Sequence, residues 1–198
     1  MHMHRAFWMI LLWIAMALPA AALPPTDKFF DPVSKQWVRY RISPEAAGAI
    51  AREKYKRQTI YYRSHEPRGT IIIDTGDRYL YYTLGNNRAV RYGIGVGREG
   101  FDWSGVEKIS RKKKWPSWTP PPEMIQRQPD LPRFMPGGPK NPLGARALYL
   151  GSTLYRIHGT NEDWSIGRAV SSGCIRMLNE DVINLYNQVD IGAKVIVK

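Results

Sequence analysis

The chain has 198 residues, a formal net charge of +12 at pH 7, and 43% hydrophobic and 12% aromatic residues. That composition excludes a disordered polyelectrolyte and fits one packed domain plus an extension. The positive charge favours anionic partners such as wall polymers, membrane surfaces or nucleic acid. No nucleic-acid-binding module accompanies the densest basic block, Arg111-Lys112-Lys113-Lys114, so that run reads as a solvated face.

The first 22 residues read as a secretory leader. Arg5 gives a basic start, Ala6 to Leu18 is an apolar run, and Ala20-Ala21-Ala22 offers small residues for cleavage after Ala22. The run is shorter than the roughly 20 residues a spanning helix needs, so a signal peptide is expected rather than an anchor, leaving no integral membrane segment after cleavage. Residues 23–67 read as an extension or linker arm that docks on the main domain. Within it, Ser43-Pro44-Glu45 predicts a helix through about Lys54, with Ser43 as N-cap and proline at its first position.

Dense strand patterning begins at Thr70. Thr70–Asp74, Arg78–Leu84 and Arg88–Val96 are short runs separated by the turn sequences Thr75-Gly76-Asp77 and Gly85-Asn86-Asn87. They predict an antiparallel meander in which Val90, Tyr92, Ile94 and Val96 share one face. Gly93-x-Gly95-x-Gly97 lacks a following helix pattern, so it reads as a strand end rather than a phosphate loop. Ser104–Trp115 predicts another strand with an exposed basic side. From Trp115 to Pro142 the chain is dense in proline, which excludes regular helix or central strand over most of its length. Its apolar anchors Trp115, Trp118, Met124, Ile125, Phe134 and Met135 predict an ordered flap.

Ala145–Leu150 and Thr153–Ile157 are strand-like, and the second delivers His158 at its end. Ser165–Val170 predicts a short helix. Asn179 is expected to cap a helix through about Val189, with Val182, Leu185, Tyr186 and Val189 on one face, before a closing strand over 193–198.

Chemistry concentrates between these last elements. Cys174 is the single cysteine, and His158 is one of four histidines; His2 and His4 lie in the leader and His65 in a polar stretch upstream. One unpaired cysteine in an exported chain points to a working thiol or an intermolecular bond. A thiol becomes a nucleophile when a base takes its proton, and His158 is the good base candidate in the strand-rich region. Backbone amides of Gly173 and Cys174 are candidate oxyanion donors. Arg176 shares the side of Cys174 in an extended stretch, where it favours a thiolate or holds a substrate carboxylate. The residues alone therefore indicate a cysteine acyl-transfer enzyme without naming its substrate.

The pattern His158-Gly159-Thr160, ten residues, then Ser171-Ser172-Gly173-Cys174-Ile175-Arg176-Met177, preceded by NPLGARALYLG at Asn141–Gly151, resembles the bacterial L,D-transpeptidase catalytic domain (YkuD domain) of the Gram-negative periplasmic type. The resemblance spans roughly residues 68–198. It implies a mostly β, β-sandwich-like fold with short helices and the Pro-rich flap over a groove. Carried over by position, Cys174 is the nucleophile, His158 its base, and the Gly159 carbonyl the element that orients the imidazole. Ser171 matches a Ser/Thr position, and Arg176 lies beside the substrate. Gly173, Ser172, Ser171 and Arg176 together are the implied oxyanion and substrate-binding residues, although Ser172 stands where many members have histidine. The implied reaction is two-step acyl transfer through a thioester on a peptidoglycan tetrapeptide stem at meso-diaminopimelate. The acceptor is an amine of a second stem or of a lipoprotein, and relatives are acylated by carbapenems. No metal or organic cofactor is implied. The alternatives are an L,D-carboxypeptidase that uses water as acceptor and a non-catalytic wall-binding protein.

Overall fold

The computed structural model describes residues 43–99 and 103–198, together with the backbone of two short strands. The leader expected over residues 1–22 lies outside the described residues. The two strands, β1 (Lys28–Asp31) and β2 (Gln36–Arg39), pair antiparallel. Helix α1 (Pro44–Lys54) follows where expected: Ser43 is its N-cap, and the Ser43 hydroxyl accepts the Ala46 N–H at 3.2 Å.

The remaining strands are β3 (Gln58–Tyr61), β4 (Ile71–Asp74), β5 (Tyr79–Gly85), β6 (Arg88–Gly93), β7 (Val96–Gly97), β8 (Gly105–Lys114), β9 (Arg146–Leu150), β10 (Arg156–His158), β11 (Ala169–Ser171), β12 (Ile175–Arg176) and β13 (Lys194–Val197). Nine of them form one sheet in the order β12-β10-β9-β8-β13-β4-β5-β6-β3, so the fold is mostly β. The meander β4–β5–β6 is antiparallel as its turns predict. Two pairings within this sheet are parallel: the closing strand β13 beside β4, and β12 beside β10.

Period-two alternation buries Ile71, Ile73, Leu80, Tyr92, Leu148, Leu150, Ile157, Ile175, Val195 and Val197 in one apolar cluster. Helix α3 (Asn179–Gln188) adds Val182 and Leu185, and Val189 follows just beyond it. Strands at opposite ends of the sheet thus share a core, because the sheet folds back on itself. Gly95, just past β6, exchanges two backbone hydrogen bonds with Arg176 of β12, at 2.9 and 2.8 Å. A side chain at Gly95 would lie 2.6 Å from the Ser165 carbonyl oxygen, so only glycine permits this closure.

Three details differ from the sequence expectations, the first being that the strand expected over Thr153–Ile157 begins only at Arg156, after a turn. Ser165–Val170 is not a helix; a single 3-10 turn occupies Asp163–Ser165, and Ala169–Ser171 joins β7 as a strand. Gly167, at φ +80°, breaks any helix there and donates its N–H to the Ile94 carbonyl. Asn179 is the first residue of α3 rather than its cap, which is Leu178. Its side chain instead ties two loops together: Oδ1 accepts the Ala145 N–H at 2.8 Å, and Nδ2 donates to the Thr160 carbonyl at 2.9 Å.

The Pro-rich segment folds into a strap between β8 and β9. It holds one short helix, α2 (Pro122–Arg127), and is pinned across its middle by reciprocal backbone bonds between Trp118 and Met135. Asn141, fully buried, ties its base by donating to the Met135 and Pro136 carbonyls and accepting the Leu143 N–H.

Helix α1 docks on the 3-10 turn. Arg52 pairs with Asp163 at 2.7 Å, and Ala51 packs with Ile166 and Leu178. Tyr55, at the end of α1, wedges between two glycines. A Cβ at Gly93 would overlap the Tyr55 Cβ, and one at Gly167 would overlap its ring. Gly93→Ala should therefore destabilise the fold by about 1–3 kcal/mol through overpacking. Combined with Tyr55→Ala the cost should be less than additive, a coupling that urea denaturation of the two single variants and the double variant measures.

Candidate active site

The parallel pairing of β10 with β12 sets Ile157 opposite Ile175 and His158 opposite Arg176. Both isoleucines point into the core. Alternation then sends Arg156, His158, Cys174 and Arg176 to the other face of this end of the sheet. The two residues singled out by chemistry thus share one face, His158 on β10 and Cys174 just before β12, offset by two positions.

His158 is 4% exposed, and its Nδ1 lies 2.5 Å from the Gly159 carbonyl oxygen. A carbonyl only accepts, so Nδ1 carries the proton and Nε2 keeps the lone pair. Burial, followed by the Arg176 charge, lowers the imidazole from its ordinary 6.5 to about 3, although the Gly159 bond works the other way. The ring is therefore neutral at pH 7, with its lone pair on Nε2. Gly159 is itself constrained: a Cβ there would overlap Asn179 Oδ1. Asn179 thus packs directly beneath the residue that orients the imidazole.

Cys174 is half-buried, and its Sγ is 4.0 Å from the Leu154 carbonyl oxygen. Burial pushes the thiol up, while the charges of Arg156 and Arg176 and the Arg156 backbone pull it back. Net burial leaves a neutral thiol beside a neutral imidazole at rest. The Ser171 hydroxyl donates to the Cys174 carbonyl at 2.6 Å and accepts the Gly173 N–H at 3.2 Å, which closes the turn before β12. Gly173 has φ +97°, the left-handed region that glycine enters without strain.

Of the two amides expected to receive an oxyanion, Gly173's is occupied by Ser171 in this state, because the turn needs it. The Cys174 N–H has no hydrogen-bond partner among the described residues. Arg176 donates to Glu162 at 2.6 Å, so its charge is already partnered beside the cysteine. Ser172 is half-buried within the same turn.

Two contributors escaped the sequence reading. Trp103 donates its indole N–H to the Gly173 carbonyl at 3.1 Å and stacks on Tyr155, centroids 4.7 Å apart, bracing the turn from outside. Arg156 stands level with Cys174 in the parallel ladder, and its Nε and Nη2 both donate to the Leu154 carbonyl. Only the strand register reveals Arg156, since nothing in its local sequence marks it.

The L,D-transpeptidase catalytic domain (YkuD) model matches residues 68–197. The chain belongs to that family. A probable L,D-transpeptidase, YbiS from Escherichia coli (strain K12), is 41% identical over 135 residues, covering 64% of this chain and 43% of that protein. Among solved structures, L,D-transpeptidase 3 from Mycobacterium tuberculosis superposes with a TM-score of 0.55 at 14% identity, covering 78% of this chain and 86% of that one. That likeness is one of fold. A Brucella melitensis structure described as a probable carnitine operon oxidoreductase, caia, is 44% identical with a TM-score of 0.50, covering 73% of this chain and 94% of that one. Its name differs while its fold is shared. The chain spans less than half the length of the Escherichia coli relatives it matches.

The depressed His158 value has a thermodynamic consequence. Between pH 6.5 and about 3 the unfolded chain holds a proton on this imidazole that the folded chain does not. His158 therefore makes stability rise with pH across that window and fall as pH drops through it. Thermal melts from pH 7 to 3 should show this slope in the native protein and a flatter one in His158→Gln.

Proposed function

We propose that this chain is a peptidoglycan L,D-transpeptidase in which Cys174 is the nucleophile, His158 its base and the Gly159 carbonyl the group that orients the imidazole. The observation that carries this reading is the fixed tautomer. With Nδ1 committed to Gly159, Nε2 is the basic nitrogen on the sheet face that also presents Cys174.

Both groups are neutral at rest, so proton transfer accompanies attack. Nε2 takes the thiol proton as Sγ adds to the carbonyl carbon of the third residue of a tetrapeptide stem, usually meso-diaminopimelate. The Cys174 N–H is aimed at the charge that develops on the carbonyl oxygen. The Arg156 and Arg176 charges favour sulfur's anionic character during addition. Collapse expels the terminal D-Ala, whose amine receives the proton from His158, and leaves a thioester. An amine of a second stem or of a lipoprotein then attacks the thioester, gives its proton to His158, and releases the thiol as the new amide forms. Water in place of the amine yields a trimmed stem, the L,D-carboxypeptidase outcome.

In this reading the leader over residues 1–22 exports the protein to the periplasm. Residues 68–198 form the catalytic domain, and residues 23–67 are an extension docked on it. Ser171 shapes the nucleophile turn rather than touching substrate, and Arg176, paired with Glu162, stands beside the substrate.

Intact-protein mass spectrometry with a carbapenem should show one covalent adduct on the native chain and none on Cys174→Ala. Absence of the adduct on folded, reduced native protein would move the non-catalytic wall-binding alternative to the front. His158→Gln should slow adduct formation by about 100-fold or more, the scale of a lost general base. Product analysis with tetrapeptide stems and an added amine acceptor separates crosslinking from trimming.

A further inference from the structure

The basic run Arg111–Lys114 lies on β8, and strand alternation splits it between the two faces of the sheet. Lys112 turns toward α3, where its Nζ donates to the Val189 carbonyl at 2.5 Å and sits over the Tyr186 ring. Lys114 takes the same side, opposite Arg146, which also lies over Tyr186. Arg111 and Lys113 take the other side, both exposed. That is the face of Cys174.

Register makes the alignment explicit. Arg111 pairs with Tyr149 on β9, and Tyr149 pairs with Arg156 on β10. Since Ile157 pairs with Ile175 in the parallel ladder, Arg156 lies level with Cys174, each one residue earlier. The Arg111 guanidinium lies 3.9 Å from the Tyr149 ring centroid, and that of Arg156 lies 5.6 Å from the same centroid. One tyrosine is thus flanked by two cations in a row that ends at the cysteine. Arg111, Lys113 and Arg156 have no ion-pair partner among the described residues, whereas Arg176 is already held by Glu162. With about 4.8 Å between neighbouring strands, Tyr149 stands roughly 10 Å from Cys174 along the row.

We propose that Arg111 and Arg156, flanking Tyr149, form a subsite for a free carboxylate of the acyl-donor peptide, roughly 10 Å from the carbonyl that Cys174 attacks. This rests on the acyl-transfer reading for the identity of the peptide. Guanidinium groups suit the site because Arg111 offers paired donors to a carboxylate and Arg156, whose Nε and Nη2 hold the Leu154 carbonyl, adds its Nη1 donors, while the ring between them limits their motion. Lys113, one row along on the same face, adds attraction without directed contact. Arg156 serves both ends, since its charge also acts on the thiol.

The test is equilibrium binding to the full chain carrying Cys174→Ala, so that no turnover is needed. The probes are a synthetic tetrapeptide stem with its carboxylates free and the same stem with those carboxylates amidated. The free stem should bind about tenfold more tightly, a difference worth about 1.4 kcal/mol. Arg111→Gln should remove most of that preference and leave the amidated stem's affinity unchanged. Lys114→Gln, with the same charge change on the opposite face, should leave the preference intact. Equal losses from Arg111→Gln and Lys114→Gln would reduce the effect to net charge and overturn the subsite, as would no preference between the stems. Thermal melts establish that each variant is folded. The carbapenem adduct on the native chain reports separately on the acyl-transfer reading, so the two fail independently.

Discussion

Two residues of β12 hold the site together because they are bonded from both sides. Toward β10, the parallel ladder sets the level of Cys174 against Arg156 and His158. Toward the other edge, Arg176 exchanges both of its backbone bonds with Gly95. A strand this short has little stability alone, and each backbone bond contributes only about 1 kcal/mol net. Its position is fixed because the sheet folds round to meet it. Cys174 is therefore placed by the closure of the whole sheet, not by its own turn, and any slip of one residue would send it to the core face.

Around that closure the structure relies on missing side chains. Gly95 meets the Ser165 carbonyl, Gly93 and Gly167 receive Tyr55, and Gly144 and Gly159 share the Asn179 amide. Each glycine gives up conformational restraint in the unfolded chain to let two segments touch. Asn179 shows what this contact achieves. It joins the residue that follows the strap to the loop that follows His158, so His158 and the strap have a common support.

Much of this was legible beforehand, and the exceptions share a cause. The strands β4 to β6, the helix from Pro44 and the basic strand β8 all follow from local patterns of apolar period and turn residues. The chemistry was legible because the chain has one thiol and few imidazoles. Other features were not. Asn179 looked like a helix cap because the sequence shows its place beside a helix but not the two loops above it. Residues 165–170 looked helical because the demand on Gly167 comes from Ile94, far away in the chain. Arg156 and Trp103 were invisible for the same reason: their significance lies in register and in contacts across the sheet. The Gly173 amide, a natural oxyanion donor by sequence, is claimed by Ser171, a competition that only geometry exposes.

Helix α1 and strand β3 precede the region that the family model covers, yet they are built into the same body. β3 extends the nine-stranded sheet at its edge, and α1 rests on the turn that leads to the nucleophile. A chain trimmed to residues 68–197 would keep every residue of the catalytic signature. It would also leave an empty slot between Gly93 and Gly167, an uncovered Ile166 and an Asp163 without its arginine. The span that matches the family and the span that packs as one body are therefore different lengths of chain, and α1 meets the matched span on the 163–167 turn that precedes Cys174.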